Sequence, residues 1–284
     1  MTDHRLRVLK GHGTENDFLV LPDLDAVVSL SPSLVRALCD RHTGIGADGV
    51  LRVVRTKLAT EPDVRAQAAE AEYFMDYHNA DGSIAEMCGN GVRVFARYLE
   101  QAGLIAGPTA IGTRGGVKQV SFSADEISVD MGASRLRLER PVVAATGLLG
   151  EYQAIAIDMP NPHVVIELDD DAALAALDLA TAPLVTPALP EGQNVEFIVR
   201  TGPSRLRMRV HERGVGETRS CGTGICAAVV VAAGENAGHT DWLVDIPGGQ
   251  CRVSWTTSGS VVLTGPAVLI AEVELAEDWT AAHR

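Results

Sequence analysis

Arg205, Arg207 and Arg209 alternate with Leu206, Met208 and Val210, a period-two pattern that predicts a strand with one buried face. Ala71, Tyr73, Met75 and Tyr77 keep the same period less cleanly and predict a second strand. Downstream of each strand the period changes. Val92, Phe95, Ala96 and Leu99 fall at i, i+3, i+4 and i+7 with Arg93, Arg97 and Glu100 opposite, which predicts a helix with one apolar and one solvated face. Residues 225–233 are apolar all round, so their helix should be wholly buried. Further strands are expected at residues 50–54, 118–122, 127–131, 153–159, 195–199, 250–255 and 261–274, with a hairpin turn at Thr257-Ser258-Gly259-Ser260. Residues 55–72, rich in Ala, Glu and Gln, predict a surface excursion or short helix, and the three Asp at the start of residues 169–176 suit a charged first helical turn. Many strands and few helices favour an α+β fold with antiparallel or mixed sheets over a doubly wound one.

The two strand-to-helix units carry the same junction. Met87-Cys88-Gly89-Asn90-Gly91-Val92 is echoed 133 residues later by Ser220-Cys221-Gly222-Thr223-Gly224-Ile225. A second echo, in the same order relative to the cysteines, pairs Asn16-Asp17-Phe18-Leu19-Val20 with Asn161-Pro162-His163-Val164-Val165. Either echo alone is weak; their shared order points to two related domains.

Charge narrows the partners. With 24 Lys+Arg against 37 Asp+Glu the net charge is -13, and no basic cluster interleaves with aromatics, so a nucleic-acid partner is not expected. No apolar run approaches the roughly 18 to 20 residues of a membrane span, and the opening MTDHRLRVLK has no apolar signal core. Cysteines stand at 39, 88, 221, 226 and 251, an odd number without C-x-x-C, which predicts unbridged thiols and a cytoplasmic location.

The Gly44-Ile45-Gly46-Ala47-Asp48-Gly49 match to G-x-G-x-x-G follows a helical pattern and leads into a strand, the reverse of what dinucleotide binding needs, and is read as a turn. No metal-ligand spacing occurs among the eight His, so no metal is expected. A lone cysteine is most often a small buried hydrophobe, the reading kept for Cys39, Cys226 and Cys251. Cys88 and Cys221 differ through their matched context: a thiol at a helix N-terminus sees the positive end of the dipole, and the glycines beside it let a ligand approach the backbone. Two such thiols suit inversion of a carbon stereocentre, which needs a base on one face and an acid on the other. A non-catalytic amino-acid-binding protein and a redox-sensing pair remain alternatives at this point. Asn16, Asn79, Asn161, Asn194, Glu212 and Arg213 lie at turns and strand ends; singly each fits a turn or surface role, and as a set they suit a ligand with carboxylates and ammonium groups.

Those motifs resemble the diaminopimelate epimerase family, cofactor-independent enzymes that interconvert LL- and meso-diaminopimelate in lysine and peptidoglycan biosynthesis. The likeness spans nearly the whole chain, through Gly11-His12-Gly13, Asn16-Asp17-Phe18, Asn79-Ala80-Asp81-Gly82, the Cys88 junction with Arg93, Asn161-Pro162-His163, Gly192-Gln193-Asn194-Val195, Glu212-Arg213-Gly214, Glu217-Thr218 and the Cys221 junction. Proline racemases share the paired C-G-x-G but typically have His at the place of Asn90 and Ser-Pro before the second Cys, where this chain has Arg219-Ser220.

The resemblance implies two pseudo-symmetric domains, 1–132 plus 268–284 and 133–267, each a curved mixed or antiparallel sheet around a central helix. It implies Cys88 as proton donor and Cys221 as acceptor from LL to meso, with Gly89, Asn90, Gly222 and Thr223 holding the α-carboxylate. His163 and Glu212 would tune the thiols, Glu212 also near the reactive ammonium, and Asn16, Asn79, Asn161, Asn194 and Arg213 would bind the remaining polar groups. It implies a small-molecule substrate, no cofactor and a homodimer. Two positions depart from many relatives: Gly49 stands where they have Gln, and Ala271 where some carry a dimer-contact Tyr.

Overall fold

The alternation at residues 205–211 is realised as a strand, Arg205–Glu212, with Leu206, Met208 and Val210 buried. The computed structural model describes residues 5–234 and 241–283; residues 1–4 and 284, which the expected domain bounds include, lie outside the described residues. The chain forms two units, Met1–Val129 with Pro266–Arg284, and Asp130–Gly265.

In the first unit β1 (Arg7–Gly13), β2 (Asn16–Pro22), β3 (Gly49–Arg55), β4 (Tyr73–Asn79), β5 (Thr109–Gly112), β6 (Lys118–Ser123) and β7 (Glu126–Gly132) pair in chain order. The successive relations are antiparallel, parallel, antiparallel, parallel, antiparallel and antiparallel. A parallel step needs a crossover. Helix α1 (Pro32–Cys39) supplies the first and α2 (Gly89–Gln101) the second. Ser31 starts α1 by accepting the Leu34 N–H at 3.2 Å, with Pro32 at the first helical position.

The second unit repeats the scheme. β8 (Ile155–Asp158), β9 (Pro162–Glu167), β10 (Asn194–Gly202), β11 (Arg205–Glu212), β12 (Trp242–Ile246), β13 (Gly249–Trp255) and β14 (Val261–Pro266) pair in chain order with the same six relations. Helix α3 (Gly222–Ala233) occupies the place of α2, between the fourth and fifth strands, and packs on β8 through β13. Each unit adds a strand to its first, β15 (Val268–Glu274) beside β1 and Arg135–Leu136 beside β8, and the second unit also carries Gly216–Thr218 antiparallel on β11. The mixed-sheet α+β architecture with two pseudo-symmetric halves is therefore the observed one.

Three local expectations need correction. Helix α2 has no solvated face along most of its length, and Arg93 is fully buried, donating through Nη2 to Thr14 Oγ1 at 3.2 Å and through Nε to the Pro266 carbonyl at 3.4 Å. The sheet closes around the helix, with β1, β2, β3 and β15 all against it, so the side opposite the apolar stripe is also covered. Residues 261–274 form two strands, because Pro266 has no N–H to continue a ladder. Residues 153–159 break at Ala154, whose N–H turns to Pro141; Tyr152–Gln153 joins a small sheet with Val142–Ala144 and Leu184–Thr186 instead. Residues 55–72, expected as a surface excursion or short helix, form the short helices Thr56–Leu58, Pro62–Arg65 and Ala66–Ala69, with buried Ala59 and Val64 against Val54 and Phe74. The Gly44 to Gly49 stretch is a turn between α1 and β3, as read; a Cβ at Gly44 would stand 2.0 Å from the Ala37 carbonyl. Among the described residues no helix is long and apolar enough to cross a membrane.

Asp76 on β4 anchors a buried charge network, accepting from Arg114 at 2.6 Å, His78 at 2.9 Å and Arg52 at 3.3 Å. Burial alone would raise its pKa, but the hydrogen bonds and charges of His78 and Arg114 outweigh burial and hold it at about 2. A carboxyl depressed in the folded state stabilises above its unfolded value of 3.8, and that stability is lost as pH falls from there toward about 2. Asp76→Asn is expected to cost about 2 kcal/mol at neutral pH, with the deficit shrinking across that window. Urea denaturation at a series of pH values measures this, and a deficit as large at pH 2 as at pH 7 would contradict the account.

Candidate active site

The pairing scheme brings the polar residues to one sheet edge in each unit. Parallel β2 and β3 begin at the edge where antiparallel β4 ends, so Asn16, Gly49 and Asn79 share it, with Gly49 registered against both Phe18 and Asn79. The equivalent edge of the second unit carries Asn161 just before β9, Asn194 at the start of β10 and Glu212 at the end of β11, with His163 registered against Asn194. Cys88 and Cys221 hold the N-cap positions of α2 and α3, in extended conformation and without a side-chain cap hydrogen bond, in contrast to Ser31 at α1. Gly89 and Gly222 are the first helical residues. At Gly49 there is no room for a side chain: a Cβ would lie 2.5 Å from the His78 carbonyl.

Cys88 is partly buried and donates to Asn16 Oδ1 at 3.6 Å, and Asn90 Nδ2 donates to the same oxygen at 3.1 Å. The other end of the Asn16 amide, Nδ2, donates to Asp48 Oδ2 at 2.7 Å, which settles its orientation. Asp48 also accepts from the Asp17 N–H at 3.1 Å and from Arg41 at 2.8 Å, and Arg41 bridges to both Asp17 oxygens at 2.7 and 3.0 Å. Lys10 completes the cluster on Asp17 and the Gly46 carbonyl. Burial would raise the Asp17 carboxyl, but Arg41 and Lys10 outweigh it and hold it well below the usual carboxylate range. Burial, then the Asp17 charge, pushes Asp48 up.

Around Cys221 the amide polarity is reversed. Asn194 Nδ2 donates to Cys221 Sγ at 3.8 Å, while Asn194 Oδ1 is held by the Arg213 N–H at 2.9 Å. Thr223 Oγ1 lies 3.6 Å from the same sulfur. Burial, then the charges of Glu212 and Glu196, pushes the Cys221 thiol well above its ordinary value. Burial also raises Glu212, against hydrogen bonds from Thr218 and Cys221. His163 is fully buried, with Nδ1 2.7 Å from Glu196 Oε1 and Nε2 3.0 Å from Asn161 Oδ1.

The remaining expected residues are placed less directly. Asn79 donates to Ser83 Oγ at 3.0 Å within its own turn. Arg213 is exposed, its guanidinium on the Glu191 carbonyl and its stem over Gly192, where a Cβ would stand 2.8 Å from Arg213 Cδ. Sequence reasoning gave no site role to Asp48, Arg41, Lys10, Thr218 or Glu196. The one available signal was Glu196 itself, a lone carboxylate inside the apolar run Val195 to Val199. Among the described residues no group of three His, Cys, Asp or Glu is placed to hold a metal ion.

The sequence profile of the family described as diaminopimelate epimerase matches residues 8–137 and 155–270. The chain is 48% identical to the diaminopimelate epimerase of Streptomyces coelicolor, covering 97% of both chains, and 48% identical to that of Thermobifida fusca, covering 94% of this chain and 97% of the relative. Among solved structures it is similar to a probable proline racemase from Agrobacterium radiobacter, with a TM-score of 0.67 and 17% identity over 96% of this chain and 93% of that one. It is equally similar to a PhzF-family phenazine biosynthesis protein of Bacillus anthracis, with a TM-score of 0.67 and 13% identity over 95% and 99%. At such identities the two structures speak for the fold alone.

Proposed function

The chain belongs to the diaminopimelate epimerase family and is an isomerase of diaminopimelate, and from that premise we propose that Cys221 and Cys88 are the two proton-transfer groups. From the LL isomer the Cys221 thiolate takes the α-proton, and Cys88 gives its S–H proton to the opposite face of the resulting carbanion. The product is the meso isomer, and the enzyme is left with a Cys221 thiol and a Cys88 thiolate; the reverse reaction restores the pair.

The observation that carries the assignment is the opposite polarity of the two amides. Asn16 offers an acceptor to Cys88, which favours its protonated form, and Asn194 offers a donor to Cys221, which favours its thiolate. Each amide is fixed from its far end, by Asp48 and by the Arg213 N–H. The helix N-termini at Gly89-Asn90 and Gly222-Thr223 suit the α-carboxylate, whose negative charge grows as the proton leaves. Glu212 would take the α-ammonium, and a bound cation there offsets one of the charges that raise the Cys221 thiol. His163, with Glu212, would tune the thiols, and Asn79, Asn161 and Arg213 would bind the distal polar groups. The same reading gives each thiol its own domain, 1–132 plus 268–284 and 133–267. It places the enzyme in lysine biosynthesis in the cytoplasm, a compartment that keeps five unbridged cysteines reduced.

The test offers LL-diaminopimelate, lysine, glutamate and proline separately in D2O under reducing conditions, following α-deuterium and stereoisomer composition. Exchange with inversion confined to diaminopimelate is expected, and no exchange by folded, reduced protein would overturn the reading. The pH dependence of kcat/KM follows from the direction of the Cys221 shift. A thiol raised in the free enzyme is mostly protonated at neutral pH, so kcat/KM should climb through the alkaline range, then fall where the second thiol loses its proton. A flat profile from about pH 6 to 9, with chemistry rate-limiting, would contradict it.

A further inference from the structure

Glu212 ends β11, and the chain turns straight back on it: the Val215 N–H donates to the Glu212 carbonyl at 3.1 Å, with Gly214 at a φ of 77° that a side chain would strain. Gly216–Thr218 then runs antiparallel to β11, with Thr218 registered against Val210 and Gly216 against Glu212. Both neighbours of Thr218 are tied down. Glu217 accepts from Arg209 through both carboxylate oxygens, at 2.7 and 3.0 Å, and Arg209 also donates to the Leu174 and Leu177 carbonyls at 2.8 and 2.9 Å. The Arg219 guanidinium donates to the Pro247 carbonyl at 2.8 Å, and the Arg219 carbonyl accepts the Gly248 N–H at 2.9 Å. Between them the Thr218 hydroxyl, on a β-branched side chain with few rotamers, donates to Glu212 Oε1.

The side chains that hydrogen-bond this carboxylate are Thr218 and Cys221. A thiol contact cannot last through proton transfer, because a thiolate has no proton to donate and puts a second negative charge beside the carboxylate. The hydroxyl is the donor that stays. We propose that Thr218 is a positioning residue for the epimerisation: its hydroxyl holds the Glu212 carboxylate in place while Cys221 is a thiolate, so that the α-ammonium finds that carboxylate beside the base. The kinetic part of this inference rests on the diaminopimelate reading; the contact itself does not.

Thr218→Val keeps the shape of the side chain and removes the donor, whereas Thr218→Ser keeps the donor. In protein carrying carboxyl-13C glutamate, with the Glu212 signal assigned by its loss in Glu212→Gln, the carboxyl titration reports the contact without substrate. The ionisable groups that interact with Glu212, Cys221 of α3, Glu196 of β10 and His163 of β9, are retained in both variants. A carboxylate that loses a donor binds its proton more tightly, so Glu212 should titrate at higher pH in T218V than in the wild type, with T218S at the wild-type position. With LL-diaminopimelate, T218V should raise KM about tenfold and leave kcat within about threefold, since the ammonium is held alike in ground state and transition state. T218S should stay within about threefold of the wild type in both. An unchanged Glu212 titration in T218V overturns the proposal whatever the kinetics, as does a T218S enzyme as impaired as T218V. Should T218V not fold, Thr218→Ala, which also lacks the hydroxyl, replaces it in both measurements. Absence of α-deuterium exchange by the wild type would sink the epimerase reading alone, since the titration is read without substrate.

Discussion

Cys221→Ala is expected to lower inversion of LL-diaminopimelate by at least about 10³-fold, and Cys88→Ala by a similar factor, because each removes one of the two proposed proton-transfer groups. The two variants should nevertheless differ. Cys88→Ala keeps the base that meets the LL isomer, so Cys221 can remove the α-proton and, after slow exchange of its own proton with D2O, return deuterium to the face it came from. Cys221 is only 5% exposed, so that exchange should be slow. The product is labelled LL substrate without inversion. Cys221→Ala should neither label nor invert the LL isomer, and with the meso centre offered the two variants should exchange behaviours. Equal labelling by both variants, followed by mass spectrometry and chiral chromatography, would refute the assignment of roles while leaving the family intact.

The second large effect concerns the substrate. Lysine is diaminopimelate without the distal carboxylate, and it should be turned over with kcat/KM about 10⁴-fold lower, because donors meant for that carboxylate would be left unpaired. The comparison is made by α-deuterium incorporation at equal substrate concentrations. A loss smaller than about tenfold would mean that the distal end adds only contact area, and that the proposed roles of Asn79, Asn161 and Arg213 are wrong.

The two thiols were legible because a local signature surrounds each: strand, cysteine, two glycines, then a helix whose apolar pattern begins at once. The strands were legible where alternation was strict, as at Leu206, Met208 and Val210. What the sequence hid is what depends on pairs distant along the chain. Arg93 reads as a solvated residue on a helical wheel, and only the closing sheet turns it into a buried donor to Thr14 and Pro266. His163 and Glu196 stand 33 positions apart on neighbouring strands, and their contact exists only through the parallel register of β9 with β10. The orientation of Asn16 depends on Asp48, 32 positions away on the far side of α1. Amide polarity, on which the proposed donor and acceptor roles of the two thiols rest, is a property of such partners and not of the asparagine.

The return of Val268–Glu274 to β1 has a consequence for biosynthesis. Val273, Leu275 and Trp279 pack into the same cluster as Leu6, Leu19 and Leu34, so this core cannot close when residue 132 leaves the ribosome. It must wait for about 140 more residues, roughly 7 to 28 s of synthesis at ordinary rates. During that interval the N-terminal strands are exposed to chaperones, whereas the continuous second unit can fold as it emerges. A chain truncated after residue 266 should therefore contain a protease-resistant C-terminal unit joined to an N-terminal portion that is still digestible.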